Sequence, residues 1–160
     1  MRYLLGNQCA NRLALTKIPI MIVLDTNVVS ELMRDSPPQA VRAWFRAQSA
    51  SSLFVTTVTE AEILTGIALL PHGRRQRGLS EAAARVFAVL FAGRILVFDS
   101  DAANIYAEIF AQRHAAGRPI SQADCQIAAI ARSREASIAT RNITDFEGVG
   151  VELIDPWAHL

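Results

Sequence analysis

Apolar positions along this chain recur with two different spacings. Short, nearly continuous apolar runs, the length of a buried strand, are separated by longer stretches in which apolar residues return every three or four positions. Ile20 to Leu24 is the first run, rich in β-branched residues and read as a strand, and Thr26 to Met33 follows as a helix. After Pro37-Pro38 a second helix is expected, with Val41, Trp44 and Phe45 as its buried stripe. Leu53 to Thr57 is the next strand, and a helix from Glu60 to Leu70 ends at Pro71-His72-Gly73, leaving a polar loop through Gly78. Ser80 to Phe91 reads as an amphipathic helix turning Val86, Phe87, Leu90 and Phe91 inward, and Gly93 stops it. A strand over Ile95 to Phe98, a helix over Asp101 to Ala116 and another over Ser121 to Arg134 come next. Ser137 to Thr140 is a fourth strand, and Val151 to Ile154 a weak edge strand.

Strands alternating with helices imply an α/β domain whose parallel sheet is covered on both faces. The 160 residues fit one such domain. A hydrophobic content of 51% with 19% charged residues excludes a disordered chain. The net charge of +1 argues neither for nor against a nucleic-acid partner. Lys17 is the only lysine; an arginine bias suits phosphate recognition but is explained equally by genome composition. Cys9 and Cys125 have no metal or redox spacing, which fits a reducing cytosol and a cytoplasmic protein. The longest apolar stretch, Ile18 to Leu24, falls far short of the roughly 20 residues a bilayer requires, so no membrane association is expected. Asn7, Gln8, Asn11, Arg12 and Lys17 interrupt the first twenty residues. Residues 1–20 are therefore expected to be a poorly ordered leader or an artefact of start assignment, with the domain at 21–160.

The candidate chemistry lies where strands end and helices begin: Asp25, Glu62, Asp124 and Asn142. In an open α/β sheet those places share one edge, so residues distant in sequence meet in one crevice. Helix capping explains each carboxylate singly. Asp25 precedes a helix, and Thr59-Glu60-Ala61-Glu62 and Ser121-Gln122-Ala123-Asp124 both have the form of a capping box. Three carboxylates at one edge would repel one another unless a cation intervened. An all-oxygen set without histidine or cysteine suits Mg²⁺ or Mn²⁺ over Zn²⁺. Asn142 can add a neutral amide oxygen, and Asp145 competes with it for that place. Asn27 and Ser30 are candidates to orient Asp25 or contact substrate, Arg141 to contact substrate, and His72, Arg74, Arg75 and Arg77 form a basic loop suited to phosphate. His114, His159 and Cys125 form no triad, and Cys125 reads as helix packing.

These motifs resemble the PIN-domain endoribonucleases, specifically the toxins of VapBC-type toxin–antitoxin pairs, close to the FitB branch. The resemblance runs from Met21 nearly to the C-terminus. It rests on Ile22-Val23-Leu24-Asp25-Thr26-Asn27-Val28-Val29-Ser30-Glu31, Ala61-Glu62-Ile63, Phe91-Ala92-Gly93-Arg94-Ile95-Leu96, Ala123-Asp124, Ala139-Thr140-Arg141-Asn142 and Asp155-Pro156-Trp157. It implies a three-layer α/β/α fold with a mostly parallel sheet of four to five strands. It also implies catalytic and Mg²⁺-binding roles for Asp25, Glu62 and Asp124, with Asn142 in a fourth position that is acidic in many members. The implied reaction is hydrolysis of an RNA phosphodiester to a 3′-hydroxyl and a 5′-phosphate. The implied partners are a cognate antitoxin, a second copy of the chain, and DNA reached only through the antitoxin. Two rivals stand beside this reading. A non-catalytic PIN-like binding module is kept open by Asn142, and a receiver-like phosphoacceptor is weakened by the absence of any lysine after Lys17.

Overall fold

In a computed structural model that describes residues 20–158, five strands form one sheet with the order β3-β2-β1-β4-β5. The strands are β1 (Ile22–Leu24), β2 (Leu53–Thr56), β3 (Ile95–Leu96), β4 (Ser137–Ala139) and β5 (Leu153–Ile154), and every pairing is parallel. The helices are α1 (Thr26–Leu32), α2 (Gln39–Ala47), α3 (Thr57–Ala68), α4 (Arg74–Arg85), α5 (Ser100–Ala115), α6 (Gln122–Ser133) and α7 (Ile143–Phe146). The expected leader falls, but for residue 20, outside the described residues.

Side-chain alternation along the central strand builds the layers. Ile22 and Leu24 point into a core with α1, α2, α3 and α4, whereas Val23 points into a second core with α5, α6 and α7. Both faces of β1 are therefore buried, which is why its sequence is continuously apolar and not alternating. The result is the three-layer α/β/α arrangement, with the parallel sheet in the middle. Gly93, at positive φ, follows the helical segment it was expected to end, and Gly117, also at positive φ, follows α5. Arg113 is buried and fixes the α6 approach: its guanidinium donates to the carbonyls of Arg118, Pro119 and Glu147.

Three expectations need correction. The polar loop through Gly78 is helical from Arg74 onward, because its arginines, Gln76 and Leu79 favour helix and one glycine costs only about 1 kcal/mol. Leu90 is exposed, not inward: a π turn over Val86–Leu90, with the Phe91 N–H donating to the Val86 carbonyl, inserts a residue and carries Phe91 into the core in its place. β3 is two residues long, and Val97 beyond it is half exposed.

Candidate active site

Asp25 stands one residue past the end of β1. Its N–H donates to the Ala139 carbonyl at 2.9 Å, continuing the ladder to β4, while its extended backbone turns the chain into α1. One carboxylate oxygen, Oδ1, caps that helix by accepting from the Thr26 N–H at 2.8 Å. The other, Oδ2, accepts from the Thr140 hydroxyl at 2.8 Å and the Asn27 amide at 2.5 Å. Pairing of Leu24 with Ala139 in register puts Thr140 beside Asp25. Asp25 as a whole is 4% exposed. Burial pushes its pKa up to about 6, the Thr140 and Thr26 hydrogen bonds oppose the rise, and the charges of Asp124 and Glu62 add to it. All three carboxylates thus act on one electrostatic site.

Glu62 reaches that site from α3. Its expected capping role is overturned: α3 starts at Thr57, three residues earlier than a Thr59 cap would set it, and Thr56 is the N-cap, accepting from the Thr59 N–H at 3.0 Å. Glu62 lies in the second turn, where no free N–H remains to be capped. Its Oε2 instead accepts from the Thr26 hydroxyl at 2.5 Å, tying α3 to α1. Asp124 keeps its expected place. Ser121 caps α6 by accepting from the Asp124 N–H at 3.1 Å, and the Ser121 hydroxyl donates to Asp124 Oδ2 at 2.6 Å.

The fourth corner is organised by Thr140. Its hydroxyl oxygen accepts from the Asn142 N–H at 3.0 Å and lies 3.2 Å from the Asn27 amide nitrogen, while its proton goes to Asp25. Asn142 is exposed, at the N-cap of α7, with no capping bond from its side chain. Asp145 is exposed in the first turn of α7, and no hydrogen bond among the described residues links its carboxylate to the site. Asn27 Oδ1 accepts from the Arg141 N–H at 3.1 Å, so this one amide joins the ends of β1 and β4. The Arg141 guanidinium lies 5.5 Å from the ring centre of Trp157. Ser30 is exposed on α1 and, with Thr26 and Glu62, faces a cleft that also reaches Arg74 and Arg75. Sequence reasoning paired Ser121 with Asp124 in a capping box but missed Thr26 and Thr140, the hydroxyls that hold Glu62 and Asp25. Their signal was position alone: each adjoins an acidic residue or ends a strand. Cys125, which follows Asp124, is fully buried and its thiol donates to the Tyr106 carbonyl, in keeping with helix packing.

Among the described residues, no three histidine, cysteine or carboxylate side chains stand close enough together to ligate one ion directly. The donor set still fits a hard cation. It is all oxygen, it concentrates negative charge beside a buried carboxylate, and Mg²⁺ retains several waters that extend the reach of each ligand. No helix of the described residues is long and apolar enough to cross a membrane.

Comparison with known proteins places this geometry. The sequence matches the PIN domain family over residues 22–151. It is 41% identical over 137 residues to a VapC ribonuclease, Y4jK, of Sinorhizobium fredii, covering 86% of this chain and 98% of the relative. It is 39% identical over 137 residues to the toxin FitB of Neisseria gonorrhoeae, covering 86% of this chain and 99% of that one. A solved structure of FitAB bound to an IR36 DNA fragment contains a chain that superposes with a TM-score of 0.80 at 39% identity, over 88% of this chain and 97% of its own. With its acidic residues gathered past the ends of parallel strands, the chain belongs to the PIN-domain family, among relatives of the VapC and FitB type.

Proposed function

We propose that this protein is a divalent-metal-dependent endoribonuclease, the toxin of a toxin–antitoxin pair, acting on RNA in the cytoplasm. The observation that carries the reading is the convergence of Glu62 and Asp124 on buried Asp25, whose pKa their charges help to raise. Kinship with a VapC ribonuclease and with FitB supports the reaction class and the biological role. Asp25, Glu62 and Asp124 are assigned as the ligands of Mg²⁺ or Mn²⁺, with Asn142 preferred to Asp145 as the fourth, because Thr140 couples its backbone to Asp25. The bound ion supplies positive charge for the phosphate oxygens and makes water a stronger acid.

The chain's own residues prepare the site for this work. Thr140, Asn27 and the Thr26 N–H fix both oxygens of Asp25, so the carboxylate needs no reorientation during the reaction. Thr26 holds one oxygen of Glu62 and leaves the other, Oε1, for water or ligand. A basic Glu62 oxygen beside the scissile phosphate is suited to accept the proton of the attacking water. Arg141, steadied by Trp157, is suited to a flanking phosphate.

The partner is assigned as a cognate antitoxin that covers the acidic crevice, in an assembly containing two toxin copies. The relative solved as FitAB bound to an IR36 DNA fragment supports an assembly that engages DNA, and the contact to DNA is assigned here to the antitoxin. The test is a titration of Mg²⁺ and Mn²⁺ against an RNA panel, with EDTA as control and fragment 5′ ends mapped. Metal-dependent internal cuts are expected in the wild type and not in Asp25→Asn or Asp124→Asn. Retained cutting in both variants would overturn the assignment. Tight antitoxin binding with no cleavage would favour the non-catalytic module, the reading that Asn142 keeps in view.

A further inference from the structure

Beside the carboxylates a cleft of about 860 Å³ opens between α1, α3 and α4. Thr26 and Glu62 are among its lining residues, so it is continuous with the acidic site. Met33, Ile63, Ile67 and Leu79 contribute apolar wall. Arg34, Arg74, Arg75 and Arg85 contribute positive charge, against Asp35 and Glu81. Arg34 pairs with Glu31 at 3.2 Å. Among the described residues, Arg74, Arg75 and Arg85 have no carboxylate at ion-pair distance.

Two glycines in helix interiors face the same space. Gly66 lies in α3 and Gly78 in α4, and a Cβ added to either would meet no atom within 4 Å. Each costs its helix about 1 kcal/mol relative to alanine. Neither has the positive φ nor the close packing that would offset that cost. What the missing side chains leave behind is room in the cleft.

We propose that this cleft carries the single-stranded RNA on one side of the scissile phosphate, its backbone phosphates on Arg74, Arg75 and Arg85 and its bases against the apolar wall. The assignment rests on the ribonuclease reading of the acidic site. A chain of phosphates bearing unpaired base faces matches a basic edge over an apolar surface. A duplex would hide those faces, so the strand is single. Arginine's planar fork suits phosphate oxygens better than a point charge does. The topology supplies a direction: α3 leaves β2 and Arg141 leaves β4, on opposite sides of β1. A strand leaving the cleft therefore passes Asp25 before it meets Arg141.

The test compares wild type, the double variant Arg74→Ala/Arg75→Ala, and Gly78→Leu. Binding of a fluorescein-labelled single-stranded RNA is read by anisotropy in EDTA, and kcat and KM are read with Mg²⁺. The arginine variant is expected to bind roughly tenfold more weakly, with a salt dependence shallower by about 1.4 in log–log slope and kcat unchanged. Gly78→Leu is expected to raise KM while its Tm holds or rises, since leucine favours helix and finds open space. That thermal result separates a filled cleft from a damaged fold. Unchanged Kd and KM in both variants would overturn the proposal while leaving the nuclease standing. A wild type that binds RNA through these arginines but cuts none would do the reverse. Variants that bind and cut RNA normally yet escape the antitoxin would give the cleft to the antitoxin and overturn the RNA assignment.

Discussion

The raised pKa of Asp25 makes the stability of the metal-free protein fall as pH rises. Folding moves this carboxyl from 3.8 to about 6, so between those values the folded state holds a proton that the unfolded chain has released. The stabilisation is complete below pH 3.8 and is lost as pH climbs through 6. At 1.36 kcal/mol per pH unit, the whole change is about 3 kcal/mol, of which about 2 kcal/mol falls between pH 4.5 and 7. Other carboxylates titrate in this range, so the measurable quantity is the difference between wild type and Asp25→Asn. The substitution leaves an amide facing the Asn27 donor, a fixed cost of about 1–2 kcal/mol that shifts the offset and not the slope. Urea unfolding in EDTA at several pH values should show the variant gaining on the wild type by about 2 kcal/mol from pH 4.5 to 7. Saturating Mg²⁺ should erase that gain, adding about 2.7 kcal/mol to the wild type at a hundredfold excess over Kd. A difference independent of pH would refute the claim that a buried, charge-crowded Asp25 dominates this edge.

Two further substitutions separate scaffolding from chemistry. Glu62→Gln should abolish cleavage and lower the pKa of Asp25 by removing a like charge, while stability changes by less than about 0.5 kcal/mol because the side chain is exposed; NMR titration and a thermal melt check both. Thr56→Ala should cost about 1 kcal/mol through loss of the α3 cap and leave kcat intact below the melting range, whereas unchanged stability would move the helix start back to Thr59.

The layers were legible because strands buried on two faces write themselves as apolar runs, as Ile22-Val23-Leu24 and Ser137-Ile138-Ala139 do. Helix boundaries were less legible. The start of α4 depended on Leu79 and Ala82 packing inward, which outweighed Gly78, and the π turn at Val86–Leu90 leaves no mark in apolar spacing until Leu90 is found outside. The acidic site was visible as residue types at element ends. Its supporting threonines were not, because a threonine ending a strand is ordinary β propensity until the register sets Thr140 against Asp25. The cleft was invisible for a related reason: Gly66 and Gly78 lie on different helices, and only packing of α3 against α4 turns two helix weaknesses into one space.

Capping and ligation, opposed when each carboxylate is considered singly, are compatible at two of the three positions. Asp25 caps α1 with Oδ1 and is held by Thr140 and Asn27 through Oδ2; Asp124 stands in the first turn of α6, where the Ser121 cap orients it. A helix start offers N–H donors that fix a carboxylate and a dipole that favours its charge, so a residue chosen as a cap is already aimed and held. Asparagine caps about as well as aspartate. Asp25→Asn therefore keeps the helix start while it removes the charge and the acceptor for Asn27 and Thr140, so a loss of activity with the helix intact belongs to the held carboxylate and not to the cap. Glu62 has no cap to lose, since Thr56 holds that place. With a hydroxyl from α1 fixing one of its oxygens, the structure leaves Glu62 no local helical task, and its position in the second turn of α3 is explained only by what it faces.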